Sequence, residues 1–175
     1  MAFIELPDME QVDKSLKKQF DKVKAITGEV SELVRILGVR PDILDMTNHM
    51  VKTLLLSETE LDITTKEYIA ILVSLENGCS ICVGEHERIA KLLGISDETV
   101  SRIKDGFENA DLGGAEKKLL RFCKKAAKES YKVVREDFDL LRQAGYSDTQ
   151  LLETVAIVGY FNYINVISNA MGAEK

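Results

Sequence analysis

Residues 64–94, TTKEYIAILVSLENGCSICVGEHERIAKLLG, decide the fold. Apolar side chains recur there at spacings of three and four, which is the periodicity of a helix with one buried face. We predict that the first helix opens with a capping box between Thr64 and Glu67. The Asn77-Gly78 pair separates it from a second helix, which carries two cysteines and ends at Gly94. The stretch therefore predicts two helices joined by a tight turn.

The same periodicity extends through the rest of the chain, and no segment shows the sustained two-residue alternation of a strand. We predict an all-α fold: a single domain over residues 1–175 with about eight helices and an N-terminal helical extension over about 1–28. Apart from the two helices above, the pattern places helices at about 8–26, 29–37, 41–57, 96–106, 115–129, 135–144 and 148–171.

A short punctuation pattern occurs twice. The segment 93–97, Leu-Gly-Ile-Ser-Asp, is matched 51 residues later by 144–148, Ala-Gly-Tyr-Ser-Asp. Both join a helix-ending glycine to a serine that can cap the next helix. Two interpretations stay open: the chain contains two related helical halves of which one keeps the chemistry, or a favourable helix junction is used twice. The offset places Ser130, Val133 and Asp137 opposite Cys79, Cys82 and His86.

Charge and composition exclude several classes of function. The formal net charge of −6 argues against nucleic acid as a partner, because phosphate binding needs a concentrated basic surface. The longest apolar runs, such as 69–73, are far too short to cross a membrane, and residues 1–7 do not resemble a secretory signal. Three cysteines are too few for a disulfide framework and fit a reducing compartment with at most one catalytic pair. We therefore expect a cytoplasmic protein with neither nucleic acid nor membrane as a partner.

The cysteines and a histidine form the strongest candidate site. On a helix, Cys79, Cys82 and His86 fall within an arc of about 60°, and side chains three residues apart start about 5–6 Å apart, within reach of a disulfide. A histidine one turn beyond a thiol can accept its proton. We predict that Cys82 is the attacking thiolate and Cys79 the resolving thiol. The reverse stays open, because Cys79 is nearer the helix N-terminus and is expected to be more exposed.

Other chemistry for these residues remains open. Cys79, Cys82 and His86 offer three zinc ligands, and a helical metal-binding or scaffold protein is the alternative, although neither Cys123 nor His49 has the motif spacing for a fourth ligand. Both cysteines could also be small core residues. Haem attachment is excluded because no histidine directly follows the second cysteine. We interpret Cys123 as a buried core thiol and His49 as a structural or surface residue.

Glu67, Cys79, Cys82 and His86 together resemble the motif Glu-x11-Cys-x-x-Cys-x3-His of the alkylhydroperoxidase D-like, or carboxymuconolactone decarboxylase, family. The likeness covers most of residues 30–172, and the surrounding text is similar at 61–67, 76–82 and 159–165. The resemblance implies an all-helical homo-oligomer, a trimer or hexamer. It implies a thiol-dependent peroxidase or disulfide oxidoreductase of antioxidant defence, acting without haem or flavin on a small peroxide or disulfide. An external dithiol, such as a lipoyl or thioredoxin-like protein, would restore the cysteine pair.

The resemblance also assigns roles and marks one departure. Glu67 with His86 would relay the proton from the thiol, which competes with the capping-box role of Glu67, and we favour the relay. Well-studied hydroperoxidase members have histidine before the second cysteine, where this chain has Ile81, so peroxidase turnover is expected to be low. A carboxymuconolactone decarboxylase-like enzyme is a further alternative, although such members lack the cysteine pair. Apolar residues near the C-terminus suggest an exposed face for subunit association: Val155, Ile157, Val158 and Phe161.

Overall fold

The computed structural model describes residues 2–174, and these residues contain helices and no strand. The all-α prediction is confirmed. A π-helical turn at Lys52–Leu56 extends the third helix, and 3-10 turns follow the sixth and seventh helices. The α-helices of the described residues are α1 (Lys14–Thr27), α2 (Glu32–Gly38), α3 (Pro41–Val51), α4 (Ile63–Glu76), α5 (Ser80–Leu92), α6 (Asp97–Gly106), α7 (Gly114–Glu129), α8 (Arg135–Gln143) and α9 (Asp148–Ala170).

Helix α4 forms the centre of the molecule. Every residue over 65–74 is buried, and the helix packs against α5, α7 and α9. A helix that is apolar on nearly all sides belongs in the core of a protein rather than at its surface. Because side chains in a close-packed core have few alternative positions, polar residues on α4 are held in fixed directions.

A buried ion pair anchors the beginning of α4. Lys66 is only 1% exposed, and its Nζ lies 2.8 Å from Glu153 Oε1 of α9 and donates a hydrogen bond to the Ser57 carbonyl at 3.1 Å. A buried ammonium is tolerated only where it is paired and hydrogen-bonded. The pair therefore ties α4 to α9 and to the end of the π-helical turn.

The start of α4 differs from the prediction. The N-cap is Asp62, whose Oδ1 accepts a hydrogen bond from the Thr65 backbone N–H at 2.9 Å. The predicted capping box between Thr64 and Glu67 is therefore wrong. Asp62 is as good an N-cap as a threonine, and its use moves the helix start upstream. Glu67 therefore does not cap the helix, and its side chain is buried.

The N-terminal segment packs onto the same core. Helix α1 begins at Lys14 behind the N-cap Asp13, several residues later than predicted. Leu16 and Phe20 are buried, and the Phe20 ring lies so close to Gly38 of α2 that a Cβ there would be 2.6 Å from Phe20 Cζ. Gly38 is thus required by close packing, and α1 is integrated with the following helices.

Helix α9 corrects the prediction of an exposed apolar face. Ile157, Val158 and Phe161 are buried in the core, and only Val155 of the predicted group is exposed. By length and composition α9 could cross a membrane, but half of its most apolar 18-residue window is buried inside the protein. A central core helix has the same properties, so the feature does not indicate a membrane protein.

Candidate active site

The turn between α4 and α5 brings the candidate residues together. Gly78 has a φ of +67°, a left-handed conformation that favours glycine. The Cys79 backbone N–H then donates to the Ser74 carbonyl at 2.9 Å. The turn folds α5 back along α4, which places residues near the start of α4 opposite the middle of α5.

The two cysteines are joined in a disulfide, with their Cα atoms 5.4 Å apart. Cys79 is the N-cap of α5 rather than a residue of its first turn, and its Sγ accepts a hydrogen bond from the Cys82 backbone N–H at 3.4 Å. Cys79 is 1% exposed and Cys82 is 6% exposed. The expectation that Cys79 is the more exposed cysteine is therefore wrong. Donation by an N-terminal amide would favour the Cys79 thiolate in the reduced protein.

Glu67 and His86 form a close pair across the two helices. Their side chains are 5% and 12% exposed, and His86 Nδ1 lies 2.7 Å from Glu67 Oε2. A carboxylate only accepts hydrogen bonds, so Nδ1 donates to it, and in the neutral form of the ring Nε2 is then an acceptor. Phe161 of α9 packs edge-on against the imidazole, with ring centroids 4.9 Å apart. The ring is thus fixed by one hydrogen bond and one aromatic contact.

An open cleft of about 370 Å³ adjoins one cysteine. Its lining includes an ion pair in which Lys104 Nζ lies 2.5 Å from Glu87 Oε1. Cys79 borders the cleft, whereas Cys82, Glu67 and His86 do not, even though Cys82 keeps the larger exposed fraction. A bulky thiol reductant needs a cleft and therefore meets Cys79, whereas a small peroxide needs only the exposed edge of Cys82. The lining residues are Leu75, Gly78, Cys79, Ser80, Val83, Gly84, Glu87 and Lys104.

A network of side-chain amides connects the cysteine turn to α9, and the sequence did not predict it. Asn77 Nδ2 donates to Asn162 Oδ1 at 2.8 Å and to Asn165 Oδ1 at 3.1 Å. Asn165 Nδ2 donates to Ser74 Oγ at 3.2 Å, and Asn169 Nδ2 donates to the Asn77 carbonyl at 3.0 Å. One signal was available: the three asparagines of α9 recur at helical spacing within an otherwise apolar stretch.

The remaining candidates lie outside the site. Cys123 is buried in the core as predicted, and burial raises the pKa of its thiol. His49 is exposed on α3. Among residues 2–174 no group of three or more His, Cys, Asp or Glu side chains is arranged to hold a metal ion. The zinc alternative therefore gains no support from the geometry.

The fold and the motif define a class of protein. Residues 41–123 match the carboxymuconolactone decarboxylase family. The resemblance inferred from the Glu67 to His86 motif is confirmed: this stretch, a little under half of the chain, is similar to that family.

Two solved structures share this fold, and one further protein is similar in sequence. The alkylhydroperoxidase AhpD core of an uncharacterized peroxidase-related protein from Ralstonia eutropha JMP134 is 23% identical, with a TM-score of 0.91 over 99% of this chain and 91% of that chain. A variant of the debrominase Bmp8 in complex with 2,3,4-tribromopyrrole is 20% identical, with a TM-score of 0.84 over 99% of this chain and 93% of that chain. The uncharacterized protein YdfG of Bacillus subtilis (strain 168) is 28% identical over 123 residues, which are 66% of this chain and 78% of YdfG. At these identities the two solved structures show that the fold is shared.

Proposed function

We propose that the protein is a cytoplasmic thiol oxidoreductase whose Cys79–Cys82 pair alternates between dithiol and disulfide while Glu67 and His86 move the proton. The observation that carries the proposal is the buried Glu67–His86 hydrogen bond beside two cysteines at disulfide separation. A carboxylate that fixes one ring nitrogen of a histidine leaves the other as a base, which is the arrangement that activates a nucleophile in many enzymes.

The oxidising half-reaction follows from the position of Cys82. Cys82 lies one turn before His86 on the same helix face, so His86 Nε2 is the base that takes the thiol proton. The Cys82 thiolate attacks one oxygen of a peroxide, the O–O bond breaks, and the alcohol leaves with the proton held by His86. The resulting Cys82 sulfenic acid condenses with the Cys79 thiol, which releases water and forms the disulfide.

The reducing half-reaction uses the cleft. Because Cys79 borders it, an external thiolate attacks Cys79 Sγ there, and the S–S bond breaks toward Cys82. The departing Cys82 thiolate takes a proton from His86. A second external thiol then displaces Cys79, so that two thiols supply two electrons and leave as a disulfide. The lining is mostly apolar apart from the Lys104–Glu87 pair, which suits a slender aliphatic dithiol such as a lipoyl group or a thioredoxin-like donor.

A turnover assay tests the proposal. Cumene hydroperoxide consumption is measured with dithiothreitol as the reductant, for the parent protein and for Cys82→Ser, Cys79→Ser and Cys123→Ala. Either serine variant should lose multiple turnover, whereas Cys123→Ala, which changes the buried third cysteine, should keep the parent rate. Parent-like consumption in Cys79→Ser or Cys82→Ser would remove the mechanism.

Two related proposals depend on the comparisons. Reductive dehalogenation needs the same two electrons, because an aryl bromide with two thiols gives the arene, bromide, a proton and a disulfide. Bmp8, a debrominase of similar fold, favours a bromopyrrole as the second substrate in the assay above.

We also propose a homo-oligomer, to which the exposed apolar residues Leu152, Val155 and Val166 of α9 would contribute. Sedimentation of the parent and of Leu152→Glu tests that interface.

A further inference from the structure

We propose that the asparagine network between α9 and the α4–α5 turn is a positioning device that sets the reduction potential of the Cys79–Cys82 pair. This inference rests on the proposed thiol function. The network consists of Asn77, which lies two residues before Cys79, and of Asn162, Asn165 and Asn169 on one face of α9.

The network grips the turn at several atoms. The Asn77 side chain donates to two amide oxygens of α9, and its carbonyl accepts from Asn169. Ser74 links both systems, because its carbonyl holds the Cys79 backbone N–H at 2.9 Å while its Oγ accepts from Asn165. Asn165 and Ser74 are fully buried. Since buried polar groups need their partners, these bonds are costly to break.

The second end of the network is also fixed. Asn162 Nδ2 donates to the Ala127 carbonyl of α7 at 3.2 Å. This bond orients the amide so that its oxygen faces Asn77. Hydrogen bonds therefore connect the turn to α9, through α9 to α7, and to Ser74 of α4. Helix α9 also contacts the histidine, because Phe161, the residue before Asn162, packs against His86. The same helix therefore positions both the histidine and the cysteine turn.

The chemical consequence concerns the reduced protein. Reduction of the disulfide consumes two electrons and two protons and gives two thiols, and the covalent bond no longer restrains the Cys79 backbone. Gly78 would then allow the turn to move, because glycine has the widest conformational freedom. The network keeps Cys79 near Cys82 in that state. It thereby lowers the entropy lost when the disulfide forms again, which favours the oxidised form and makes the pair a stronger reductant.

Equilibration in dithiothreitol redox buffers tests this effect on the full-length protein. The variants are Asn77→Ala, Asn162→Ala and the double variant Asn77→Ala/Asn162→Ala. Each single change should lower the equilibrium constant for oxidation of the pair about tenfold, which corresponds to a potential less negative by about 30 mV. The double variant should shift no further than the larger single shift, because both changes break one network.

Ile157→Val is the matched control, since it weakens packing in the core of α9 without touching the network. It should lower the melting temperature and leave the potential unchanged. Unchanged potentials in both asparagine variants, a shift toward more negative values, or an equal shift in Ile157→Val would overturn the inference. Asn162 is only partly buried, so Asn162→Ala provides a folded test even where Asn77→Ala unfolds.

The outcome also separates this inference from the proposed function. A parent pair that does not exchange with dithiothreitol at all would refute the thiol function itself. A parent pair that exchanges normally, with network variants of the same potential, would refute only the positioning role of the asparagines.

Discussion

Replacing Glu67 by glutamine removes one charge from the proposed proton relay and keeps the shape of the side chain. The Glu67–His86 contact is short, at 2.7 Å, and both side chains are largely buried. A hydrogen bond to a charged partner contributes about 1.5–3 kcal/mol, roughly twice a neutral one. Glutamine still accepts from Nδ1, so Glu67→Gln should lose about 1.4 kcal/mol of stabilisation of the protonated ring. The reaction of the reduced pair with peroxide should therefore slow about tenfold.

Glu67→Ala extends the series because it removes the acceptor as well as the charge. His86 then loses its orienting hydrogen bond, and the full value of about 1.5–3 kcal/mol is at stake. The expected rate loss is about 10-fold to 150-fold, larger than for glutamine. The measurement is stopped-flow oxidation of the pre-reduced protein by cumene hydroperoxide under single-turnover conditions, which separates this step from re-reduction.

The control for these variants is Glu85→Gln on the same helix. Glu85 lies next to His86, but its side chain is 43% exposed and pairs with Arg88 in solvent. Such exposed pairs contribute little, and the variant should stay within twofold of the parent rate. If Glu67→Ala also stays within twofold of the parent, Glu67 takes no part in the proton relay. If Glu67→Gln equals the parent while Glu67→Ala is slow, Glu67 acts only through its shape and hydrogen bond.

Two further predictions concern buried groups. Glu153→Gln leaves the Lys66 ammonium buried without its counter-charge and should lower the free energy of unfolding by about 3 kcal/mol in urea titrations. The control Glu98→Gln changes an exposed pair with Arg102 and should lower the free energy of unfolding by less than about 1 kcal/mol. Equal losses in the two variants would contradict the reasoning. Burial raises the pKa of the Cys123 thiol, so a thiol reagent at pH 8 should label two cysteines of the reduced native protein and the third only in urea; rapid native labelling of all three would contradict this.

The helix pattern was predictable because the chain marks its helix ends locally. Ser96 and Ser147 are the N-caps of α6 and α9, as their positions before apolar runs predicted, and Gln150 completes a capping box with Ser147. The start of α4 was mispredicted because Asp62 and Thr64 are both acceptable caps. Local sequence does not distinguish two such caps. With Asp62 as the N-cap, Lys66 pairs with Glu153 and Glu67 pairs with His86, and these contacts lie far away in the sequence.

The candidate site was predictable to the extent that it lies on one helix. Spacing alone placed Cys79 and Cys82 at disulfide distance, but it did not show that both are buried. The contact between Glu67 and His86 joins two helices, and only the family motif suggested it. The role of Phe161 was missed for a related reason: its apolar character is equally suited to an exposed interface or to a core, and only packing against His86 distinguishes them.

The repeated Gly-x-Ser-Asp junction is explained better by the helix boundaries than by the short pattern alone. Helix α7 begins 51 residues after α4 and α9 begins 51 residues after α6, whereas α8 begins 55 residues after α5, so two of the three successive helices keep the offset. At the position opposite His86, Asp137 accepts hydrogen bonds from Lys125 and from the Val134 backbone N–H, and both lower the pKa of its carboxyl. The second half therefore uses that position to cap α8. This difference between His86 and Asp137 is what we expect of two related helical halves of which only the half with the cysteine turn has kept catalytic residues.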